Sequence, residues 1–143
     1  MYLKKEIIKL NSRIIKCNEC KRLVSFREKI AKEKRKMYAA HDYWGKAVTG
    51  FGDHLGKLLI LGLAPAAHGG NRTGRVFTGD KSSEFLFKCL FEAGIANQNY
   101  SENKKDSLEL YNSYLTLALK CVPPGDKPSK DELKNCSKFL KIE

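Results

Sequence analysis

Long apolar runs are missing from this sequence. The longest unbroken stretch of large aliphatic residues is Leu58-Leu59-Ile60-Leu61, whereas a membrane-spanning helix needs roughly 20 apolar residues. The first 20 residues carry charge throughout and lack the apolar centre of a secretory leader, so an intracellular, cytoplasmic setting is expected. Internal repeats and low-complexity tracts are missing as well. With 42% hydrophobic and 30% charged residues, wholesale disorder is not expected. Acidic residues are in short supply: 16 Asp and Glu face 27 Lys and Arg, for a net charge of +11. Residues 1–36 hold 13 of the basic residues and only 4 of the acidic ones. Positive charge concentrated in this way fits a polyanion, nucleic acid first and anionic membrane second, and a solvated helix face is the ordinary alternative.

At 143 residues the chain has room for one domain with a modest core. Ile7, Leu10, Ile14 and Ile15 recur at helical spacing over residues 2–16, and Leu23, Phe26 and Ile30 make a second helical stripe. Residues 38–57, aromatic and glycine-containing, predict an irregular segment. The run 58–61 reads as a strand covered on both faces. Residues 82–93 read as a helix started by Ser82 or Ser83, with Phe85, Leu86, Leu90 and Phe91 facing the core and Gly94 closing it. A second strand is expected over 114–119. Pro123-Pro124-Gly125 breaks it, and the capping box Ser129-Lys130-Asp131-Glu132 opens a helix that carries Leu133, Cys136, Phe139 and Leu140 inward. Two strands and a crossover helix are few for a free-standing sheet, so the sequence reads as the front part of a larger α/β domain.

Between strand and helix lies a long loop, Gly62 to Asp80, at the place where open α/β sheets carry their sites. Gly69, Gly70, Gly74 and Gly79 permit close backbone approach. Gly69 and Gly74 have phosphate-loop spacing, but Arg75-Val76 stands where such loops need Lys-Ser/Thr. Phe77, the loop's aromatic, suits either stacking on a base or plugging the loop to the core. Asp80 suits either a water-positioning carboxylate or a helix cap. His68, Arg72 and Arg75 suit phosphate contacts, loop bonding or plain surface charge.

The cysteines fall at 17, 20, 89, 121 and 136. A Cys17-x-x-Cys20 pair with Cys121 and Cys136 far along the chain can form a four-thiolate site, since a strand end and the next helix are joined by a short loop. By ligand count zinc and a [4Fe–4S] cluster fit equally; buried core thiols are the plain alternative. Cys89, mid-helix, is assigned to packing.

The stretch Gly62-Leu63-Ala64-Pro65-Ala66-Ala67-His68-Gly69-Gly70-Asn71-Arg72-Thr73-Gly74-Arg75-Val76-Phe77-Thr78-Gly79-Asp80 resembles the signature loop of type-5 (type B) uracil-DNA glycosylases. The four-cysteine spacing resembles the cluster ligands of the type-4 and type-5 enzymes, and Lys120-Cys121-Val122-Pro123-Pro124 with Lys127-Pro128 resembles a further family segment. The resemblance implies a parallel-sheet α/β/α sandwich, here the first βαβ portion plus N-terminal helices, within a single domain over residues 1–143. It implies excision of uracil and some other deaminated bases from DNA by base flipping, by a monomer that meets the nucleoid through its DNA and has no membrane partner. By position, Cys17, Cys20, Cys121 and Cys136 would ligate a structural [4Fe–4S] cluster, with zinc the alternative. Phe77 would stack on the everted base; Gly62, Ala64, Pro65 and His68 would line the substrate site; and Asp80 and Asp126 would be catalytic.

The pattern also departs from the family. Asp126 stands where relatives are expected to carry Asn, and Ala64 where other classes of the superfamily carry a water-activating Asp. A histidine-containing second motif and two further strands are not found before Glu143. The expectation is therefore a C-terminally truncated domain with low activity. The non-enzymatic rival is a basic Cys₄ module that binds nucleic acid without chemistry.

Overall fold

The computed structural model describes residues 2–143. Helices α1 (Tyr2–Ile15) and α2 (Lys21–Glu33) realise the two predicted stripes. Leu10, Ile14 and Leu23 pack with Ala47, Leu119, Cys121, Cys136 and Phe139 in one core cluster, leaving the lysines outside. A 3₁₀ turn at Lys36–Tyr38 leads to the two-residue strand β1 (Phe51–Gly52), within the segment expected to be irregular. Strand β2 (Leu58–Gly62), the single-turn helix α3 (Gly70–Thr73), helix α4 (Lys81–Glu92) and strand β3 (Ser113–Leu117) follow. A 3₁₀ turn at Pro124–Asp126 and helix α5 (Lys130–Leu140) complete the order. No helix is long and apolar enough to cross a membrane among the described residues.

The sheet order is β1-β3-β2. β2 runs parallel to β3, with Ile60 opposite Leu115 and Gly62 opposite Leu117, so the βαβ unit forms as expected. β1 adds an antiparallel pairing on the other side of β3. α4 covers the Leu115–Leu117 face through Phe87 and Leu90, in a cluster with Val48, Val76, Ala96 and Leu108. Burying a side chain such as Phe87 completely contributes about 1.5–3 kcal/mol. On the opposite face Lys120 is sealed in, its Nζ donating to Thr116 Oγ1 and to Glu143 Oε2, each at 2.6 Å.

Two expectations about burial fail. β2 is not covered on both faces: Leu58, Leu59 and Leu61 are 42%, 55% and 50% exposed. It is the outer strand of the sheet, and β3, buried at every position, is the strand its apolarity led one to expect. In α4, Phe85 and Phe91 are exposed at 73% and 46%, and the buried stripe is Ser83, Phe87 and Leu90. The phase follows from the cap. Asp80, not Ser82 or Ser83, starts the helix in a reciprocal capping box with Ser83, which turns residue 83 inward and carries 87 and 90 with it. The helix ends as expected at Gly94, whose φ of +71° suits glycine. The Ser129–Glu132 capping box of α5 also forms.

Candidate functional site

The Gly62–Asp80 loop leaves the carboxyl end of β2. The parallel ladder continues into it, since the Ala118 and Leu119 N–H groups donate to the carbonyls of Gly62 and Leu63 at 2.9 and 2.8 Å. The start of this loop and the segment leading to Cys121 therefore lie side by side at one end of the sheet. Across that end comes Phe77, half-buried, with its ring against Gly62; a β-carbon on Gly62 would collide with the ring and stand 2.9 Å from Leu117 Cδ2. Phe77 takes a φ of +47°, a left-handed backbone that costs a bulky residue about 1–3 kcal/mol. The fold holds it there against that cost.

Asp80 takes the capping role of the two that its position allows. Its Oδ1 accepts from the Ser83 N–H at 2.9 Å and the Ser82 hydroxyl at 2.7 Å, capping α4. Its Oδ2 lies over Gly69, where any β-carbon would strike it. The carboxylate also lines an open cleft with Arg72, Gly79, Ser83, Tyr100 and Ser101. Phe77 does not line that cleft, so the described residues bring Phe77 to Gly62 and Asp80 to Gly69 without joining both pairs in one cavity. Pro65 is buried, 3.1 Å from the place a β-carbon would take on Gly70, and Ala64 packs against the cysteine core.

Arg72 and Arg75 are neither surface charges nor free for phosphate. Arg72 is 8% exposed, gives its Nε to the His68 carbonyl at 2.6 Å and Nη2 to the Gly79 carbonyl at 2.7 Å, and stacks on Tyr38. Arg75 is 5% exposed and donates to Thr78, to Ser101 and, at 2.6 Å, to Asp106. Loop carbonyls and a buried carboxylate consume these donors, so the arginines rivet the loop from within. His68 shares a 2.7 Å hydrogen bond with the Tyr43 hydroxyl. Burial, aided by the charges of Arg35 and Arg72, lowers its affinity for a proton, so it is neutral at physiological pH.

Asp126 sits exposed in the 3₁₀ turn after Pro123-Pro124, and no hydrogen bond ties it to the signature loop. Its φ of +57° follows Gly125 at +61°. Among residues with a β-carbon, Asn and Asp tolerate that conformation best, so Asp suits this turn.

The four predicted cysteines converge. Cys17 and Cys20, at the α1–α2 junction, and Cys121 and Cys136, after β3 and on α5, line one cavity with Leu23, Val24, Ala47, Leu119 and Phe139. Three donors point at sulfur: Arg27 Nη1 to Cys121 at 3.0 Å, the Lys120 N–H to Cys136 at 3.3 Å, and Asn135 to Cys20 at 3.9 Å. As free thiols Cys20, Cys121 and Cys136 resist ionisation. Burial pushes Cys136 up to about 11, and it raises Cys20 and Cys121 as well, against the opposing pull of Asn135 and Arg27. No three His, Cys, Asp or Glu side chains among the described residues are set to hold a single metal ion. Cys89, assigned to packing, is in fact exposed. Sequence reasoning missed Arg27; its one signal was its place four residues after Leu23, on the buried stripe of α2.

Comparison with known proteins matches this geometry to a family. The family model described as the Uracil DNA glycosylase superfamily matches residues 49–143, which takes in the signature loop, β3 and α5. The chain is 46% identical to the type-5 uracil-DNA glycosylase of Pyrobaculum aerophilum over 92% of its own length and 58% of that protein. It is 46% identical to the type-5 uracil-DNA glycosylase of Mycobacterium bovis over 96% of its length and 51% of that protein. Against the type-5 uracil-DNA glycosylase of Thermus thermophilus it is 46% identical over 89% of its length and 57% of that protein. The chain thus spans between half and three-fifths of the curated relatives it matches. A partial α/β sheet that carries this loop at the carboxyl end of its parallel pair, together with a family match over most of its length, has one reading: the chain belongs to the uracil DNA glycosylase superfamily.

Proposed function

We propose that residues 1–143 form one glycosylase-type unit that acts, as a monomer, on uracil in DNA, hydrolysing the N-glycosidic bond of a nucleotide turned out of the stack. The observation that carries this reading is Phe77, a bulky ring held half-buried at positive φ across the end of β2. Part of the ring packs against the core cluster of Val76, Leu115 and Leu117; strain of this kind gathers at functional sites, and the part of the ring left exposed suits stacking on a base extruded from duplex DNA. Gly62 lies beneath that ring, Ala64 and Pro65 continue the loop from it, and His68, neutral, contributes a hydrogen-bonding edge rather than a charge.

Cleavage leaves positive charge on the sugar and negative charge on the departing base. Asp80, capped on one oxygen and open on the other, is suited to orient water or hold the base through Oδ2. Main-chain N–H groups of the loop offer donors for the base oxygen. Asp126, when it meets the base, does so as an acceptor, a change from the amide expected in relatives. The basic faces of α1 and α2 supply phosphate contacts.

The cysteine cavity suits a [4Fe–4S] cluster by its chemistry: four sulfurs line a largely apolar hollow, and the buried Arg27 is bonded to one of them. Cys17, Cys20, Cys121 and Cys136 would hold it. When bound it supplies structure, joining the α1–α2 junction to the β3–α5 connection. The test uses a labelled oligonucleotide with one uracil, incubated with the purified chain and then cleaved at abasic sites with alkali. Slow, uracil-dependent cleavage that Phe77→Ala and Asp80→Asn reduce is expected. Cleavage unchanged by both substitutions overturns the proposal, and a colourless zinc protein that binds the strand without cutting replaces it with the basic Cys₄ module.

A further inference from the structure

Among the described residues no carboxylate pairs with the buried cation Arg27. It is 5% exposed, its Nη1 donates to Cys121 Sγ at 3.0 Å, its Nη2 donates to the Cys17 carbonyl at 3.1 Å, and its Nε reaches no acceptor at all. The other deeply buried ion pairs are built differently. Arg75 has Asp106 and Lys120 has Glu143, each at 2.6 Å. A charge taken out of water is costly unless an opposite charge meets it, and a neutral thiol and a carbonyl do not. One arm of the guanidinium ends on the Cys121 sulfur, so the missing negative charge belongs among the sulfurs of the cavity that Cys121 lines.

We infer that Arg27 is the counter-charge and positioning residue of the thiolate-bound group in that cavity. The inference rests on the cluster reading above and adds a residue to it. Arg27 fixes the Cys121 sulfur on one side and, through the Cys17 carbonyl, the start of the Cys17–Cys20 turn on the other. It thereby bridges cysteines from the two distant parts of the chain. Its own carbonyl accepts from Asn71 Nδ2 at 3.2 Å, and the Asn71 N–H donates to the Ala66 carbonyl at 3.0 Å, so the same residue is bonded to the signature loop. Partners behind metal ligands set their orientation and tune the site, and hydrogen bonds to cluster sulfurs shift the reduction potential.

The experiment compares wild type, Arg27→Lys and Arg27→Gln, purified anaerobically, by iron and sulfide content, the rate of iron release to a chelator, and the midpoint potential, with far-ultraviolet circular dichroism as the check on folding. Arg27→Gln is expected to release iron about ten- to a hundredfold faster. Its potential should move to more negative values, because a neighbouring cation favours the reduced, more negative cluster. Arg27→Lys keeps the charge and should hold a near-wild-type potential, yet release iron faster because one ammonium replaces the two-armed donor. If Arg27→Gln does not fold, Arg27→Lys decides: release as slow as wild type overturns the inference. A folded Arg27→Gln with wild-type iron content, release rate and potential also overturns it. Wild-type protein free of iron and sulfide overturns the cluster reading, and the inference with it.

Discussion

Replacing Asp106 by Ala should unfasten the signature loop. The Asp106 side chain is 4% exposed and accepts from Arg75 at 2.6 Å, from the Glu102 N–H at 2.8 Å and from the Leu108 N–H at 3.1 Å. Removing it strands the Arg75 guanidinium, 5% exposed, and leaves backbone donors of the 97–110 connection unmet. Breaking one side of a buried pair costs about 3–5 kcal/mol, a large share of the roughly 5–15 kcal/mol that holds a domain together. At roughly 2–4 °C per kcal/mol for a chain of this size, Tm should fall by about 6–20 °C. Urea unfolding followed by circular dichroism measures it, and a double-mutant cycle with Arg75→Met isolates the pair. Acid makes the same point. Burial raises the Asp106 carboxyl, but the Arg75 guanidinium and the two N–H groups outweigh it and hold it below the ordinary range. Its contribution is therefore complete above about pH 4, the unfolded carboxylate value, and is lost as pH falls through the lower folded value. Asp106→Asn should lack that acid-dependent loss. A destabilisation under about 1 kcal/mol, the scale of an exposed pair, would refute the buried clamp.

Gly69→Ala should push its new methyl into Asp80 Oδ2, weakening the α4 cap by about 1 kcal/mol and lowering excision more than folding; unfolding curves and the alkali assay read the two effects, and no change in either contradicts the placement of Asp80. Cys136→Ser should lose most of its iron and lower Tm, read by iron analysis and calorimetry, whereas Cys89→Ser, at an exposed position, should change neither. Affinity for DNA should fall with salt: three phosphate contacts from the α1 and α2 lysines would give a log–log slope of about −2.7, and a flat titration by fluorescence anisotropy speaks against that surface.

Much of this was legible from local rules. The Ser129–Glu132 box, the Gly94 stop and the α1 stripe need only neighbouring residues, and they formed as read; on α2 Leu23 is buried as read, but Arg27 rather than Phe26 and Ile30 continues the buried face. The convergence of Cys17 and Cys20 with Cys121 and Cys136 was legible because a strand end and the following helix start are tied by a short loop. What escaped depends on partners distant in sequence. The phase of α4 turned on which of Asp80, Ser82 and Ser83 takes the cap; a cap was one of the two readings of Asp80, and Gly69 leaves room for its carboxylate. Arg72 and Arg75 read as loop charges, but loop carbonyls accept from Arg72, and the Thr78 and Ser101 hydroxyls and the Asp106 carboxylate accept from Arg75. Arg27 looked like one basic residue among many, and only the facing sulfur distinguishes it.

The outer border of Leu58–Gly62 carries no charge and no proline of its own, the usual guards of a sheet's rim. Leu59, Leu61 and Leu63 stand bare along it. Such a rim behaves as a vacant berth for any extended greasy ribbon, whatever molecule brings it, and main-chain pairing there needs no particular side chains. At high concentration, pairing of such rims between copies of this polypeptide is therefore the expected route to clumping.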